Sequence, residues 1–117
     1  MITTVSFNIS DKAKAEQAFT IRRIVFVEEQ KVSREEEYDS FEEIATHYLA
    51  LVDDIPGGTA RWRVTDNGVK LERFAVLPSF RNRGVGATLV NTVLKDVLPL
   101  QKKIYLHSQL AHKEVQT

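Results

Sequence analysis

Four segments of the chain carry the apolar patterns of β-strands: residues 3–9, 46–52, 59–65 and 69–77. In the first, Val5, Phe7 and Ile9 alternate with polar neighbours, which is typical of a strand with one buried face. The composition of residues 66–68, DNG, favours a tight hairpin turn between the last two segments. The last three segments therefore predict an antiparallel meander.

Two longer segments repeat apolar residues at helical spacing and predict helices that pack on a sheet. They cover residues 11–30 and 85–98. Ser10 or Asp11 can cap the first helix, and Arg22 interrupts its apolar face, so we expect Arg22 at the rim. Pro99 ends the second helix, and residues 102–108 predict a further strand. The apolar faces comprise Ala15, Ala18, Phe19, Val25 and Phe26 in the first helix and Leu89, Val90, Val93, Leu94 and Val97 in the second.

The intervening segments are polar. Residues 31–43 are acidic and predict an ordered loop or a second short helix near residues 40–44. Residues 53–58, DDIPGG, predict a turn in which the glycines take positive φ. The order β-α-(α)-β-β-β-α-β needs a parallel crossover only at its last step. We expect one α/β (α+β) domain over residues 1–117, with a mixed, mostly antiparallel central sheet flanked by helices.

Composition narrows the function classes. Sixteen Lys and Arg balance sixteen Asp and Glu, so there is no basic field to attract nucleic acid. The chain has no cysteine, and its three histidines are too scattered for a metal site. The N-terminus lacks a signal-peptide pattern, and no apolar run approaches a membrane span. We therefore expect a cytoplasmic protein with no nucleic-acid, membrane or metal partner.

The stretch RNRGVGATLV, residues 81–90, joins a predicted strand to a predicted helix. Gly84 and Gly86 allow the backbone to turn tightly and approach a ligand, and the first helical N–H groups are free to bind an anion. Arg81 and Arg83 add positive charge, and Thr88 adds a hydroxyl donor. The stretch matches neither the dinucleotide fingerprint nor the Walker loop. A plain tight turn is the alternative interpretation.

Residues 71–98, LERFAVLPSFRNRGVGATLVNTVLKDVL, resemble the acetyl-CoA-binding motif of the GNAT superfamily of N-acyltransferases. The family pattern Arg/Gln-x-x-Gly-x-Gly/Ala falls on Arg81, Gly84 and Gly86. Residues 21–30 and 103–109 are similar to segments of the ElaA-like branch. The resemblance runs from about residue 5 to about residue 110 and implies a GNAT-like acyl-CoA N-acyltransferase fold.

The resemblance implies which residues hold the acetyl-CoA cosubstrate. The motif strand is expected to pair with the pantetheine arm through backbone groups, in the wedge where the next strand diverges. The start of the helix is expected to hold the pyrophosphate. The expected cofactor-binding residues are Phe74, Ala75 and Val76 on the strand and Arg81, Asn82, Arg83, Gly84, Val85, Gly86, Ala87 and Thr88 at the helix start.

The implied reaction is direct acetyl transfer to the amine of a small molecule. An alkylamine has a pKa of about 10.4, which places its neutral form roughly 4.6 kcal/mol away at pH 7, so a base is expected. Glu72 is the first candidate, because unbroken alternation puts it on the face of Phe74 and Val76. An ion pair with Arg61 or Arg63 is its alternative role. His107 is the second candidate base, with a structural role as its alternative.

Four other residues are candidates for the acceptor side. Glu28 and Glu29 end the first helix, where the ElaA-like branch places part of its acceptor pocket; as surface carboxylates they need no such role. Tyr48 and Trp62 can line an acceptor pocket or belong to the core.

The C-terminus departs from the family pattern. After the strand at 102–108, the family continues with a helix, commonly bearing a tyrosine acid, and two more strands, whereas this chain ends in LAHKEVQT. We expect a truncated acceptor side, and hypothesise a homodimer through the exposed strand edge. The alternatives to an active enzyme are an acetyl-CoA-binding module with impaired catalysis or an oligomer-forming remnant. Acyl-homoserine-lactone synthases share the first-helix pattern but are larger.

Overall fold

The computed structural model describes residues 1–33 and 40–106, and these form one five-stranded sheet with helices on both faces. The strands are β1 (Ile2–Phe7), β2 (Thr46–Val52), β3 (Ile55–Thr65), β4 (Gly68–Val76) and β5 (Ile104–Leu106). The helices are α1 (Lys12–Arg22), a π-helix (Arg23–Glu29) and α2 (Val85–Val97), with 3₁₀ turns at Pro78–Phe80 and Leu98–Leu100. Strands β1 to β4 pair antiparallel in chain order, and β5 pairs parallel to β4. The predicted mixed sheet and its single parallel crossover are confirmed.

Each face of the sheet has its own apolar core. On the α2 face, Tyr48, Ala50 and Val52 of β2 pack with four buried residues of the helix. On the α1 face, Phe7 and Leu49 pack with α1 and the π-helix. The alternation along β2 thus separates two cores, as a strand buried on both sides requires. The buried helix residues are Val85, Leu89, Val93 and Val97 of α2, and Ala15, Ala18, Ile21, Val25 and Phe26 of the first helical segment.

The first helical segment begins as predicted but changes its geometry. The Asp11 side chain accepts from the Lys14 N–H at 3.3 Å, which confirms an N-cap. From residue 23 onward the helix is a π-helix, so the expectation of one helix through residue 30 is corrected. The π-type spacing persists at its end, where the Gln30 N–H donates to the Val25 carbonyl over 3.0 Å.

The turn between β2 and β3 differs from its prediction. The residues with positive φ are Asp53 at 51° and Asp54 at 71°, so the prediction that glycines provide the turn is wrong. Gly57 and Gly58 lie within β3 instead. A Cβ on Gly58 would stand 2.9 Å from the Val85 side chain, so glycine lets the start of α2 pack closely on β3.

Strand β4 contains a β-bulge at Arg73, which has a φ of 58°. Thr59 of β3 pairs with Ala75 and Arg61 pairs with Glu72, so two β4 residues oppose the single residue between them. The extra residue reverses the in-and-out alternation along the rest of the strand. The bulge therefore decides which face each later β4 side chain occupies.

Some predictions concern residues next to or outside the described ranges. Residues 40–44 form turns closed by an Ala45 N–H to Phe41 carbonyl bond of 3.2 Å, so this part is a loop rather than a helix. Leu106 ends β5, and the proposed dimer edge continues into residues outside the described range, as does His107. The dimer and the role of His107 as a base therefore stay predictions. Within the described residues, no helix is long and apolar enough to cross a membrane.

Candidate functional site

A cavity of about 580 Å³ opens between the end of β4, the start of α2 and the end of the π-helix. All of the predicted cofactor residues except Arg83 and Thr88 line it. The π-helix end and the 3₁₀ turn supply three further lining residues, Val25, Gln30 and Phe80. The structure thus brings the strand and helix-start residues of the motif together around one concave surface.

The start of α2 presents unpaired backbone donors to this cavity. Gly84 is the N-cap residue with a φ of 86°, a left-handed conformation that favours glycine. The first backbone N–H to bond within the helix is that of Thr88, which donates to the Gly84 carbonyl over 3.0 Å. The N–H groups of Val85, Gly86 and Ala87 therefore have no intrahelical partner, and the helix dipole adds partial positive charge there. This arrangement fits an anion such as a pyrophosphate.

The backbone geometry requires glycine at the first motif glycine but not at the second. A Cβ on Gly84 would meet only the Ile2 side chain, at 3.9 Å, so its backbone conformation and not crowding requires glycine. A Cβ on Gly86 would lie 3.8 Å from Val76, which is ordinary contact distance. The space above both residues is open for a ligand. The Thr88 hydroxyl donates to the Gly84 carbonyl over 2.7 Å, and its predicted contact with phosphate stays a prediction.

Arg81 connects three parts of the cavity wall. Its Nε donates to the Val76 carbonyl over 2.9 Å, and its two terminal nitrogens bind the Glu29 carboxylate at 2.8 and 2.7 Å. The hydrogen bonds from Arg81 hold the pKa of the Glu29 carboxyl below its ordinary value. Arg83 lies apart, with a 3.4 Å bond to the Ser79 carbonyl and its guanidinium 5.3 Å from the Phe80 ring.

The described parts of β4 and β5 pair only over a short length. Val69, Lys70 and Leu71 pair with Ile104, Tyr105 and Leu106. Farther along β4, Ala75 and Val76 pair with β3 on the opposite side. Within residues 1–33 and 40–106, the cavity-lining end of β4 therefore has no strand partner on its β5 side. The wedge expected for the pantetheine arm stays a prediction.

Glu72 does not line the cavity, and it lies on the opposite face of the sheet from Phe74 and Val76. Phe74 and Val76 pack against the α2 core, whereas the bulge at Arg73 leaves Glu72 on the α1 face. The expectation that Glu72 shares a face with Phe74 and Val76 is wrong, because alternation is interrupted between them. Its role as a base stays a prediction.

Glu72 is buried and surrounded by cations. It accepts from the Nε atoms of Arg61 and Arg63 at 2.8 Å each, and the Lys70 Nζ lies 3.4 Å away. Burial acts to raise the pKa of the Glu72 carboxyl, but the Arg63 hydrogen bond and the Arg61 charge outweigh it and keep the pKa below its ordinary value. The ion pairs named as its alternative role are therefore present, and they make the carboxylate a weak proton acceptor.

The same charge cluster continues beneath α1. Arg22 is 1% exposed, so the expectation that it lies at the rim is wrong. It binds the Glu42 carboxylate at 3.1 and 2.7 Å, and Arg61 approaches the same carboxylate at 2.9 Å. The His47 ring is stacked on Phe7, and burial lowers its pKa. This cluster fixes α1 and the loop before β2 onto the sheet.

Tyr48 and Trp62 lie in the α2 core rather than around the cavity. The Trp62 Nε1–H donates to the Tyr48 hydroxyl over 2.8 Å, and that hydroxyl donates to the Asp96 carboxylate over 2.6 Å. Burial raises the pKa of Tyr48 above its ordinary range. The chain of hydrogen bonds ties the last turns of α2 to the middle of the sheet.

Residues 15–115 match the Acetyltransferase (GNAT) family, a span that includes the cavity, the motif strand and α2. The chain belongs to the GNAT acetyltransferase family. Among curated relatives, it is 39% identical over 85 residues to "Uncharacterized N-acetyltransferase YjcF" of Bacillus subtilis, and 38% identical over 88 residues to "Putative acetyltransferase BSU40680" of the same organism. These alignments cover 73% of this chain in both cases, and 61% and 60% of the relatives. The chain thus spans about three fifths of the length of the curated relatives it matches.

Solved structures of GNAT proteins share the fold. Escherichia coli ElaA aligns with a TM-score of 0.83 and 24% identity, covering 94% of this chain and 80% of ElaA. An acyl-CoA N-acyltransferase from Pseudomonas aeruginosa aligns with a TM-score of 0.82 and 21% identity, with 93% and 80% covered. AAC(6')-Iy, solved with a CoA-containing bisubstrate analogue, aligns at 0.70 and 20%, with 95% and 82% covered. The resemblance drawn from the sequence, including its likeness to ElaA, is confirmed.

The GNAT motif contains most of the residues that line the cavity, but not those of the first helical segment. Val25 and Gln30 were not among the predicted cofactor residues, although they lie in the segment 21–30 that resembles the family's first helix. Glu29 binds Arg81 beside the cavity and Glu28 pairs with Arg23, while the place expected for both at an acceptor pocket stays a prediction. Among the described residues, no group of three or more histidine, aspartate or glutamate side chains could hold a metal ion.

Proposed function

We propose that this GNAT protein is an acetyl-CoA-dependent N-acetyltransferase that acts on the amine of a small molecule. The observation that carries the proposal is the cavity formed jointly by residues 74–76 and the unpaired N–H groups at the start of α2. A site for CoA needs an anion cradle for the pyrophosphate next to a partly apolar channel for the pantetheine arm. The lining supplies both features in one continuous surface.

Acetyl-CoA would supply the activated acetyl group as a thioester. In the reaction, the amine nitrogen bonds to the acetyl carbon, the carbon–sulfur bond breaks, the amine loses one proton and the thiolate gains one. Val85, Gly86 and Ala87 bind the pyrophosphate through their N–H groups, and Arg81 adds positive charge beside it. The backbone of Phe74 and Val76 orients the pantetheine arm.

A second candidate function is a binding module that holds acetyl-CoA without turnover. The observation that favours it is the setting of Glu72, which is bound by two arginines and does not line the cavity. A carboxylate in that setting is poorly placed to accept a proton from an amine in the cavity. His107 remains the other proposed base.

Release of free thiol from acetyl-CoA separates the two functions. The purified protein is incubated with acetyl-CoA and a panel of primary alkylamines, polyamines and amino sugars, and thiol is measured with a chromogenic disulfide. Amine-dependent thiol release supports the enzyme. A rise in melting temperature with acetyl-CoA but no thiol release supports the binding module. Ligand at 100 times its Kd adds about 2.7 kcal/mol of stability, so an unchanged melting curve at saturating acetyl-CoA would refute both.

A further inference from the structure

The side chain of Gln30 in the cavity wall has a buried oxygen without a hydrogen-bond partner. It lines the cavity, yet its side-chain oxygen Oε1 is buried and has no hydrogen-bond partner. Among the described residues, no other buried side-chain oxygen or nitrogen lacks a hydrogen-bond partner. Buried polar groups in proteins are nearly always paired, because an unpaired acceptor loses its bond to water without a replacement.

The π-helix determines where Gln30 lies. Its N–H bonds to the Val25 carbonyl five residues earlier, so Gln30 follows Val25 by one wide turn of the helix. Val25 packs in the same core cluster as Ala75 of β4, and it too lines the cavity. The preceding residue, Glu29, holds Arg81 at the loop before α2. Gln30 is thereby part of the same cavity wall as Val25, and it directly follows the residue that binds Arg81.

The surroundings of Gln30 define what it can bind. The neighbouring lining residues Val25, Ala75 and Val76 offer apolar surface, so a ligand segment in this part of the cavity is largely apolar. The unpaired Oε1 of Gln30 needs a hydrogen-bond donor on that segment of the ligand. The side-chain amide of Gln30 can rotate without breaking a hydrogen bond at Oε1, because this oxygen has no hydrogen-bond partner. A secondary amide within an apolar chain meets both requirements.

We propose that Gln30 turns its side-chain amide into the cavity and hydrogen-bonds an amide of the pantetheine arm of CoA. The inference rests on the proposed CoA site and adds to it a residue from the first helical segment. The pantetheine arm carries two secondary amides along an otherwise largely apolar chain. The β4 backbone can form hydrogen bonds to one side of such a chain. Gln30 belongs to a different element and would bind an amide that β4 does not bind.

Gln30→Met tests the proposal, because methionine keeps the length and flexibility of the side chain but removes the amide. The matched control is Gln17→Met, the same chemical change at an exposed position of α1 that does not line the cavity. Two ligands are titrated by calorimetry into each protein: CoA, and 3′-phospho-ADP, which is the nucleotide half of CoA without the arm. Thermal melts of the unliganded proteins accompany the titrations.

We expect Gln30→Met to weaken CoA binding about threefold to tenfold and to leave 3′-phospho-ADP binding unchanged. Its unliganded melting temperature should be equal to or above that of the wild type, because an unpaired buried oxygen has been removed; a structural Gln30 would instead lower it. Gln17→Met should match the wild type in every measurement. Equal CoA affinity of Gln30→Met and wild type overturns the inference, and so does an equal loss for both ligands. Absence of CoA binding to the wild type refutes the proposed function itself.

Discussion

Arg81 and Glu29, which are 52 positions apart in the chain, form a two-bond ion pair with nitrogen–oxygen distances of 2.8 and 2.7 Å. The pair joins the end of the π-helix to the loop before α2. It also places a carboxylate beside the proposed pyrophosphate cradle. Glu29 therefore balances the charge of Arg81 in the unliganded protein and opposes the binding of an anion there.

Glu29→Gln should strengthen CoA binding about twofold to fivefold at low ionic strength, because it removes a negative charge near the pyrophosphate and keeps one acceptor for Arg81. The gain should shrink as salt is raised. Glu28→Gln, which alters a neighbouring carboxylate paired with Arg23, is the control. Calorimetric titration at two salt concentrations measures both effects. Weaker binding by Glu29→Gln would show that the carboxylate positions Arg81 for the ligand.

Glu72→Gln should destabilise the protein by about 3 kcal/mol, because the buried Arg61 loses one of the two carboxylates that balance its charge. Urea unfolding at pH 7.5 measures this loss, and Glu43→Gln at an exposed position serves as the control. A variant with unchanged stability but abolished thiol release would contradict the structural role and restore Glu72 as the base.

His47 should make the protein less stable as the pH falls below about 6.5. Burial lowers its pKa in the folded state, so the unfolded chain binds the proton more readily, and stability present at pH 7.5 is lost on the way to pH 5.5. Glu42 and Glu72 also have lowered pKa values, but their contribution is lost below about pH 4.5. Urea unfolding across pH 7.5 to 5.5 should give a flatter profile for His47→Gln. Identical profiles would exclude His47 as the cause.

Tyr48→Phe should cost about 1 kcal/mol, because it removes the hydroxyl that links Trp62 to Asp96. Single and double variants with Asp96→Ala measure the coupling between the two positions by urea unfolding. A coupling energy near zero would mean that this hydrogen bond does not hold α2 on the sheet. An effect on thiol release without loss of stability would instead favour the acceptor-pocket role considered for Tyr48.

Local patterns predicted the parts of the fold that depend on local physics. β2 was predicted with its observed bounds, and the Asp11 cap and the antiparallel meander follow from side-chain chemistry near each position. Most of the residues that line the cavity were predicted because the motif is contiguous in the chain, and their binding of a cofactor stays a prediction. The resemblance identified the family from the same short region.

The errors arise where distant residues determine the outcome. Arg22 is buried because Glu42, 20 positions away, binds it, and alternation along one helix cannot reveal that partner. The bulge at Arg73 has no side-chain signature, yet it puts Glu72 on the opposite face of the sheet from Phe74 and Val76. The π-helix likewise looks like an ordinary helix in its sequence, although its wider turns bring Gln30 to the cavity.

CoA titration of a size-matched pair of variants at Gly84 decides whether the start of α2 holds a pyrophosphate. Gly84→Asn and Gly84→Asp introduce side chains of the same size at the same left-handed backbone position, which both residues tolerate better than most, and they differ only in charge. If the start of α2 holds a pyrophosphate, the wild type binds CoA and Gly84→Asp binds at least about tenfold more weakly than Gly84→Asn, with both variants folded. Equal affinity of the two variants, or no CoA binding to the wild type, would show that the start of α2 does not hold the pyrophosphate of CoA.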